Sequence, residues 1–329
     1  MTSITESKLQ KKQLRCPHVL VTGAAGFAGK YLVKELLENG HAVSSTDVLP
    51  SADLPNYRQA DLCDKEAIHS LVRETQPDAV IHLGAISFVP DGDSDPSKLL
   101  TVNIAGTVNI AEAIYHESPA SRMLFISTSQ VYGALTAICP VNAPIRENAP
   151  LMPATMYAIS KVAAEHAAMA YGYTYGIQTF IARPANHTGP GQSLKFVTAS
   201  FVKQIVDVKH GKAKSIKVGN LESVRDFTDV RDVVRAYRLI IEHGQSGQIY
   251  NIAANTRIHI GGLLERLQQI TKTDVPFEVD PKLYRKSDAS LRLDISNLIE
   301  HTDWAPEYSL DSTLSDMISV LENNEKGLK

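Results

Sequence analysis

His18-Val-Leu-Val-Thr22-Gly23-Ala-Ala-Gly26-Phe-Ala-Gly29-Lys30 is the stretch on which the fold turns. A short apolar run of strand length ends in a glycine-rich turn, and the apolar spacing from Gly29 to Asn39 then follows a helix that stops at Gly40. A strand feeding a helix through such a turn leaves free amides at the helix N-terminus, where a pyrophosphate is stabilised, and the glycines let the backbone approach it. Alone, this glycine spacing also fits an ordinary strand-to-helix turn. The next segment adds weight: His41 to Asp47 reads as a second strand, and its terminal acid Asp47 lies 24 positions beyond Gly23, near the spacing at which a carboxylate meets the adenosine ribose. Gly23, Gly26, Phe27, Ala28 and Gly29 are thus candidate dinucleotide contacts, with Asp47 at the ribose hydroxyls. A carboxylate there repels a 2′-phosphate and no arginine follows until Arg58, so NAD(H) is favoured and NADP(H) stays open. Asp47 could instead begin the turn before Pro50. Asp61 and Leu62, after a presumed third strand, border adenine or cap a helix.

Working outward, the buried runs Ala79-Val-Ile-His-Leu83, Met123-Leu-Phe-Ile-Ser127 and Thr179-Phe-Ile-Ala182 each follow a helical segment. This βαβ repetition predicts an α/β fold with a Rossmann-type doubly wound parallel sheet, whose ligands sit at the carboxyl ends of the strands. Beyond Pro184 the pattern changes. Gly189-Pro-Gly191 interrupts the chain, Arg225 to Ile241 reads as a loop entering a helix, Gln248 to Ile252 as a strand, and Gly261 to Ile270 as a helix. The expected organisation is a polar arm over residues 1–15, a dinucleotide-binding domain over 16–185, and a smaller C-terminal α/β substrate-binding region over 186–329, some of it returning to the first domain.

With 329 residues, 33 Lys+Arg against 36 Asp+Glu and a net charge of −3, the chain lacks the basic surplus of a nucleic-acid binder. It shows no apolar run of membrane-span length and no apolar segment in its polar start, so a cytoplasmic protein with no membrane partner is expected. Cys16, Cys63 and Cys139 are widely spaced and without nearby histidine in ligand spacing, so neither a disulfide framework nor a metal is expected.

Tyr157-Ala-Ile-Ser-Lys161 is the strongest catalytic signal. On a helix the two residues share a face, so the ammonium sits beside the phenol and a bound ribose, and a nearby cation is expected to lower the phenol pKa toward neutrality. Tyr-x-x-x-Lys alone is also a common surface pair. Its company is Leu124-Phe-Ile-Ser-Thr128-Ser129-Gln130-Val-Tyr132-Gly133 at a predicted strand end, where a hydroxyl could bind an oxygen that alternates between alcohol and ketone. Thr128 is the candidate; capping the strand exit is its other reading. Ser87, Phe88 and Val89, after the Leu83-Gly-Ala85 turn, either edge a substrate pocket or pack the loop.

In this order, the Gly23 to Gly29 turn, His82-Leu-Gly-Ala85, Asn103-Ile-Ala-Gly-Thr107, Thr128-x-x-Val-Tyr-Gly133, Tyr157-x-x-x-Lys161 and Ala182-Arg-Pro184 resemble the extended short-chain dehydrogenase/reductase family of nucleotide-sugar-modifying enzymes. Arg183-Pro-Ala-Asn186-His-Thr-Gly-Pro-Gly191-Gln192, Phe196-Val197, Val218-Gly219 and Arg225-Asp-Phe-Thr-Asp-Val-Arg-Asp232 look more narrowly like its GDP-4-dehydro-6-deoxy-D-mannose reductase and GDP-mannose 4,6-dehydratase members. The resemblance implies that Tyr157 exchanges the proton, Lys161 holds the nicotinamide ribose and Thr128 completes the triad. It implies cofactor contacts at Leu83, Gly84, Ala85 and Arg183, and substrate contacts at Ser129, Gln130 and Lys203. Asn186, Val197, Arg225 and Arg285 would hold the diphosphate of a nucleotide sugar, with a GDP-sugar favoured; an arginine fork suits a pyrophosphate, although Lys286 stands where relatives carry proline. It also implies a homodimer through a four-helix interface made by the Ala-rich helices around Thr101 to His116 and Tyr157 to Gly172; simple burial against the sheet is the other reading of those helices.

Dehydratases of this family carry an acid two residues after the catalytic threonine. Here that residue is Gln130, an amide without usable basicity, which disfavours dehydration. Two reactions need only cofactor, Tyr157 and Thr128: reduction of a C4 ketone on a nucleotide-linked 4-keto-6-deoxy sugar, and NAD-dependent 4-epimerisation. The stretches around Asn186 and Arg225 favour the reductase. A non-catalytic NAD-binding protein is the remaining alternative, against which the intact triad counts.

Overall fold

The computed structural model describes residues 17–88, 92, 94–137, 143–284 and 292–327. Val89, Arg285, Cys16, Cys139 and the arm over residues 1–15 lie outside them. Seven strands form one parallel sheet: β1 His18–Thr22, β2 Ala42–Asp47, β3 Tyr57–Gln59, β4 Ala79–His82, β5 Arg122–Ile126, β6 Gln178–Pro184 and β7 Ile249–Ile252. Their order is β7-β6-β5-β4-β1-β2-β3. Register runs Thr22 against Thr46 on one side and His82 on the other. Chain direction across the sheet reverses at β1, which places the ligand crevice at the carboxyl ends of β1 and β4.

Strand side chains alternate between two cores, which explains why the runs are apolar throughout. Val19, Val21, Ile81, Leu124 and Phe180 face α1 (Phe27–Glu38), whereas Leu20, Val80, Met123, Phe125 and Ile181 face the opposite layer. That layer holds α2 (Lys65–Thr75), α3 (Gly106–Glu117) and α4 (Met156–Tyr175). Each such fully buried Leu, Ile, Val or Phe contributes roughly 1.5–3 kcal/mol.

The C-terminal region has its own core, where α5 (Val197–Lys209), α7 (Ile260–Thr271) and α8 (Leu310–Gly327) bring together Phe201, Ile205, Leu263, Leu267 and Leu314. Between α5 and α7 the chain returns to the main sheet. In α6 (Val230–His243), Val230, Val233, Val234, Tyr237, Ile240 and Ile241 recur at helical spacing and are buried with α1. Its outer face carries Arg231, Arg235 and Arg238, paired with Asp316, Glu307 and Glu35. β7 follows α6 and pairs along β6, Ile252 opposite Pro184. The segment expected to be a loop before this helix contains two short strands: Val224–Arg225 runs antiparallel to Ile258–His259, and Phe227–Asp229 runs parallel to Asn186–Thr188. Among the described residues, no helix is long and apolar enough to cross a membrane, and no three His, Cys, Asp or Glu side chains are grouped to hold a metal ion.

Candidate active site

The glycine turn leaves β1 with Gly23 at φ +70°, a conformation that suits glycine, and Gly23 packs so tightly on Leu83-Gly84 that a Cβ there would stand 2.7 Å from the Gly84 nitrogen. Helix α1 then begins after Gly26 without a side-chain cap and without an acidic residue in its first turn. Its leading amides are therefore suited to an anion. Phe27 and Ala28 form this first turn, and Phe27 stacks on His187 at a centroid distance of 6.2 Å, joining the turn to the C-terminal region. At the end of β2, the Asp47 carboxylate accepts hydrogen bonds from Ala25 N at 3.1 Å and Leu49 N at 3.0 Å, so it stands beside the glycine turn. Asp61 is exposed, and its carboxylate accepts from Cys63 N at 2.9 Å; the cap of α2 is Asp64. Leu62 fills the space between Gly84 and Gly106. Gly23 and Leu62 meet Gly84, and Asp47 meets Ala25, so these groups gather at the carboxyl ends of β1, β2 and β4, and their chemistry fits a dinucleotide: amides for phosphates, a carboxylate for hydroxyls, an apolar side chain for a base.

The triad candidates meet at the neighbouring edge. Thr155 caps α4 by accepting from Ala158 N at 3.1 Å, which sets Tyr157 in the first turn against the exit of β5. There the Tyr157 hydroxyl stands near enough to Thr128 for the threonine to draw its pKa downward. One turn on, Lys161 donates to the Ile126 carbonyl at 2.7 Å and lies 4.9 Å from the centre of the Phe125 ring. Tyr157 and Lys161 are both buried, 8% and 4% exposed.

Burial governs their protonation. Desolvation pushes the Lys161 ammonium down to about 7, with Glu165 opposing the shift. It pushes the Tyr157 phenol up to about 12, with Thr128 opposing. The expectation that Lys161 lowers the tyrosine pKa is thereby corrected: desolvation of the phenol is the larger cause and moves it upward, while the ammonium is itself desolvated and gives one of its hydrogen bonds to the Ile126 carbonyl. With its pKa raised, the phenol keeps its proton at neutral pH.

Arg183 also differs from its expected place. Its guanidinium is 2% exposed and binds Glu165 through two nitrogens, the Tyr132 hydroxyl at 2.8 Å and the Glu147 carbonyl at 2.8 Å. These partners take up the guanidinium inside the protein. Sequence reasoning missed this layer. Glu165 accepts from Ser127 Oγ at 2.8 Å, and Tyr132 donates to Asn251 Oδ1 at 2.7 Å, so β5, β6, β7 and α4 are tied under the triad. The four-residue step from Lys161 to Glu165 was the available signal.

The substrate candidates are spread over the exits of β4 and β5, helix α5 and the strands at Asn186 and Arg225. Ser129 and Gln130 are half-buried, and Gln130 N donates to Thr128 Oγ1 at 3.2 Å. Ser87 is exposed, while Phe88 meets Phe196 edge-on at 5.5 Å with Lys195 over its ring. That contact brings the β4 loop to Val197, the first residue of α5. Asn186 is exposed and pairs with Phe227, two residues from Arg225, whose guanidinium donates to the Val224 carbonyl at 2.8 Å. Lys203 points its ammonium at Asp207, 2.6 Å from either oxygen, along α5.

A doubly wound sheet with a glycine turn at its switch point and a Thr-Tyr-Lys constellation beside it defines an enzyme of the extended short-chain dehydrogenase/reductase class, the NAD(P)-dependent nucleotide-sugar oxidoreductases and epimerases. Comparison with known proteins narrows the class. The GDP-mannose 4,6-dehydratase family model matches residues 20–317, and the chain belongs to that family. It is 35% identical to GDP-6-deoxy-D-mannose reductase of Pseudomonas aeruginosa over 307 residues, covering 93% of this chain and 97% of that one. The structure of RMD from Pseudomonas aeruginosa complexed with NADPH superposes with a TM-score of 0.83 at 33% identity, covering 94% and 99% of the two chains. UDP-glucose 4-epimerase of Thermotoga maritima, solved with UDP-glucose, reaches a TM-score of 0.84 at 27% identity over 94% and 99%.

Proposed function

We propose that this enzyme reduces the C4 ketone of a GDP-4-keto-6-deoxy-hexose, with Tyr157 as proton donor. One observation carries the choice among the family's reactions: the triad Thr128, Tyr157 and Lys161 is assembled, while the position two residues after Thr128 holds the amide of Gln130. A dehydratase needs a base there to remove a carbon-bound proton, and an amide provides none. The similarity to the Pseudomonas aeruginosa reductase over almost the whole chain supports the same reading.

The glycine turn from Gly23 to Gly29 would hold a nicotinamide dinucleotide, which would supply the hydride. NAD(H) is favoured because the Asp47 carboxylate, beside the glycine turn, would repel a 2′-phosphate; the relative solved with NADPH keeps NADP(H) open. Thr128 holds the C4 oxygen by a hydrogen bond. As charge develops on that oxygen, the neutral Tyr157 hydroxyl delivers its proton and Thr128 steadies the phenolate left behind. Lys161, poised near neutrality by burial, would orient the ribose hydroxyls of the bound dinucleotide, and Tyr157 recovers its proton from solvent after the product leaves. Asn186, Val197 and Arg225 bind the diphosphate, with Arg225 contributing charge-assisted hydrogen bonds. Ser87, Phe88, Ser129 and Gln130 edge the sugar, and Lys203 and Arg285 remain substrate candidates.

A homodimer through α3 and α4 belongs to the same reading. Its support is an apolar surface on these helices, where Tyr115, Ile159, Tyr173 and Tyr175 are 37%, 41%, 74% and 50% exposed. A cytoplasmic location fits a substrate and cofactor of this kind.

The test is stoichiometric. The protein is incubated with NADH or NADPH and GDP-4-keto-6-deoxy-mannose, and nicotinamide absorbance is followed. Sustained oxidation beyond one equivalent is expected. A sugar isomer formed without net oxidation would establish the epimerase instead, and binding without turnover would overturn both.

A further inference from the structure

Beneath the crevice a row of buried polar groups runs from the glycine turn to the catalytic helix, and its hydrogen bonds have only one self-consistent direction. At one end, Gly84 N–H donates to Thr22 Oγ1 at 3.2 Å. Thr22 Oγ1 lies 2.7 Å from His82 Nδ1, and His82 Nε2 lies 3.0 Å from Thr107 Oγ1. At the other end, Thr107 Oγ1 donates to the Asn103 carbonyl at 2.7 Å. Thr22, His82, Asn103 and Thr107 are each 2% exposed or less.

An amide can only donate and a carbonyl can only accept, so the ends fix the middle. Thr107 uses its proton on Asn103 and therefore accepts from His82, which puts the imidazole proton on Nε2. His82 Nδ1 then accepts from the Thr22 hydroxyl, which in turn accepts from Gly84. The reverse tautomer would leave the Thr22 hydroxyl proton without one of these acceptors, in a place where a buried donor left unmade is costly. Burial keeps the imidazole neutral, its pKa pushed down to about 3, with the Lys161 charge acting in the same direction.

The row continues through Asn103. Its side chain accepts from Ile86 N at 2.8 Å and donates to Ile86 O at 3.1 Å and Ser160 Oγ at 2.9 Å. Ser160 Oγ donates to the Tyr157 carbonyl at 2.7 Å. The Gly84 turn, the β4 loop and the backbone of the catalytic tyrosine are thus joined by one line of oriented contacts.

We infer that neutral His82, held as its Nε2–H tautomer between Thr22 and Thr107, is a positioning residue that sets the Gly84 wall of the cofactor crevice at a fixed distance from Tyr157. This rests on the reading of that crevice as a nicotinamide dinucleotide site. Thr107 touches neither cofactor nor reacting atoms in that reading, which makes it the place to break the row. In Thr107→Val the His82 Nε2–H loses its acceptor, whereas Thr107→Ser keeps the hydroxyl.

Two measurements test the inference. Imidazole nitrogen NMR of wild-type protein should show His82 protonated at Nε2 and bare at Nδ1; protonation at Nδ1 would overturn it. NADH titration by fluorescence, with folding checked by circular dichroism at the same temperature, should give Thr107→Val a Kd about tenfold above wild type and Thr107→Ser a Kd within about twofold. A merely structural role would lower the melting temperature of Thr107→Val yet leave the Kd of the folded protein unchanged, and that result would overturn the positioning role. If Thr107→Val does not fold, a Thr107→Ser Kd raised tenfold counts equally against the inference, because the hydroxyl it restores would then be insufficient. Wild-type protein binding neither NADH nor NADPH would instead sink the crevice reading and the positioning role with it, and the tautomer measurement tells that case apart.

Discussion

Two glycines of the same turn should respond in opposite ways to one added methyl group, and the contrast separates a dinucleotide site from a merely tight turn. At Gly29 a Cβ would lie 2.2 Å from the Gly23 carbonyl oxygen and 2.7 Å from Ala24 Cα and O, all backbone atoms of the preceding turn. That is more than about 1 Å inside ordinary van der Waals contact, and neither backbone segment is free to move because Gly23 already abuts Gly84. Gly29→Ala should therefore cost about 1–3 kcal/mol or more by overpacking. Gly26 differs. Its backbone has φ −68° and ψ 172°, which alanine adopts without strain, and a Cβ there meets only the Gly23 oxygen, at 3.1 Å. A shift of a few tenths of an ångström relieves that contact, and the lost freedom of the unfolded chain contributes about 0.4–1 kcal/mol in return. Stability of Gly26→Ala should stay within about 1 kcal/mol of wild type. The methyl group nonetheless projects at the N-terminus of α1, where a pyrophosphate must approach the backbone, so the Kd for NADH should rise tenfold or more, about 1.4 kcal/mol. Urea unfolding and NADH fluorescence titration on both variants measure the two quantities. Wild-type affinity in folded Gly26→Ala would refute the assignment of this turn, whatever Gly29→Ala does.

Two other perturbations follow from the site. Tyr157→Phe removes the proton donor without changing the ring, so turnover should fall about 10²–10⁴-fold while NADH affinity is kept, as single-turnover absorbance and titration would report; full turnover would remove Tyr157 from the mechanism. His82 gives an acid limit to stability: its folded pKa of about 3 lies below its ordinary 6.5, so the unfolded chain binds the proton first. Its contribution is intact above pH 6.5 and is lost as pH falls toward 3, amounting to roughly 4–5 kcal/mol at 1.36 kcal/mol per unit. Unfolding free energies measured across that range should fall more steeply for wild type than for His82→Leu, and parallel curves would contradict the burial argument.

The central strands β1, β4 and β5 were legible because a parallel strand covered on both faces is largely apolar; β2, which buries Ser44, Ser45 and Thr46, carries a weaker signal. The glycine turn was legible in part for a steric reason, since no Cβ fits at Gly23 or Gly29. The same logic fails for α6. Its apolar stripe announced a helix, but nothing in residues 230–243 says that this stripe packs on α1 and delivers β7 to the main sheet. The short strands at Val224–Arg225 and Phe227–Asp229 escaped notice because they span two and three residues, too few for an alternation to appear. Of the candidate site, the triad was readable as a pattern of spacings. The pKa of Tyr157 was not, because it depends on how deeply the first turn of α4 is buried against β5, a tertiary fact that i and i+4 spacing does not contain.

Glu165 shows what the site costs in stability. It is fully buried and lies one turn beyond Lys161 on α4, close enough to neutralise that ammonium. Arg183 takes both of its oxygens, and Ser127 adds a hydrogen bond to one of them. The carboxylate thus answers a guanidinium that cannot give up its proton, and Lys161 is left with a carbonyl and an aromatic face. A buried amine so placed carries its charge only in part at neutral pH, which is a poor arrangement for folding. Arg183 occupies both oxygens of Glu165, so in the proposed mechanism it would act on the reaction at one remove, leaving desolvation to hold the Lys161 ammonium down at about 7.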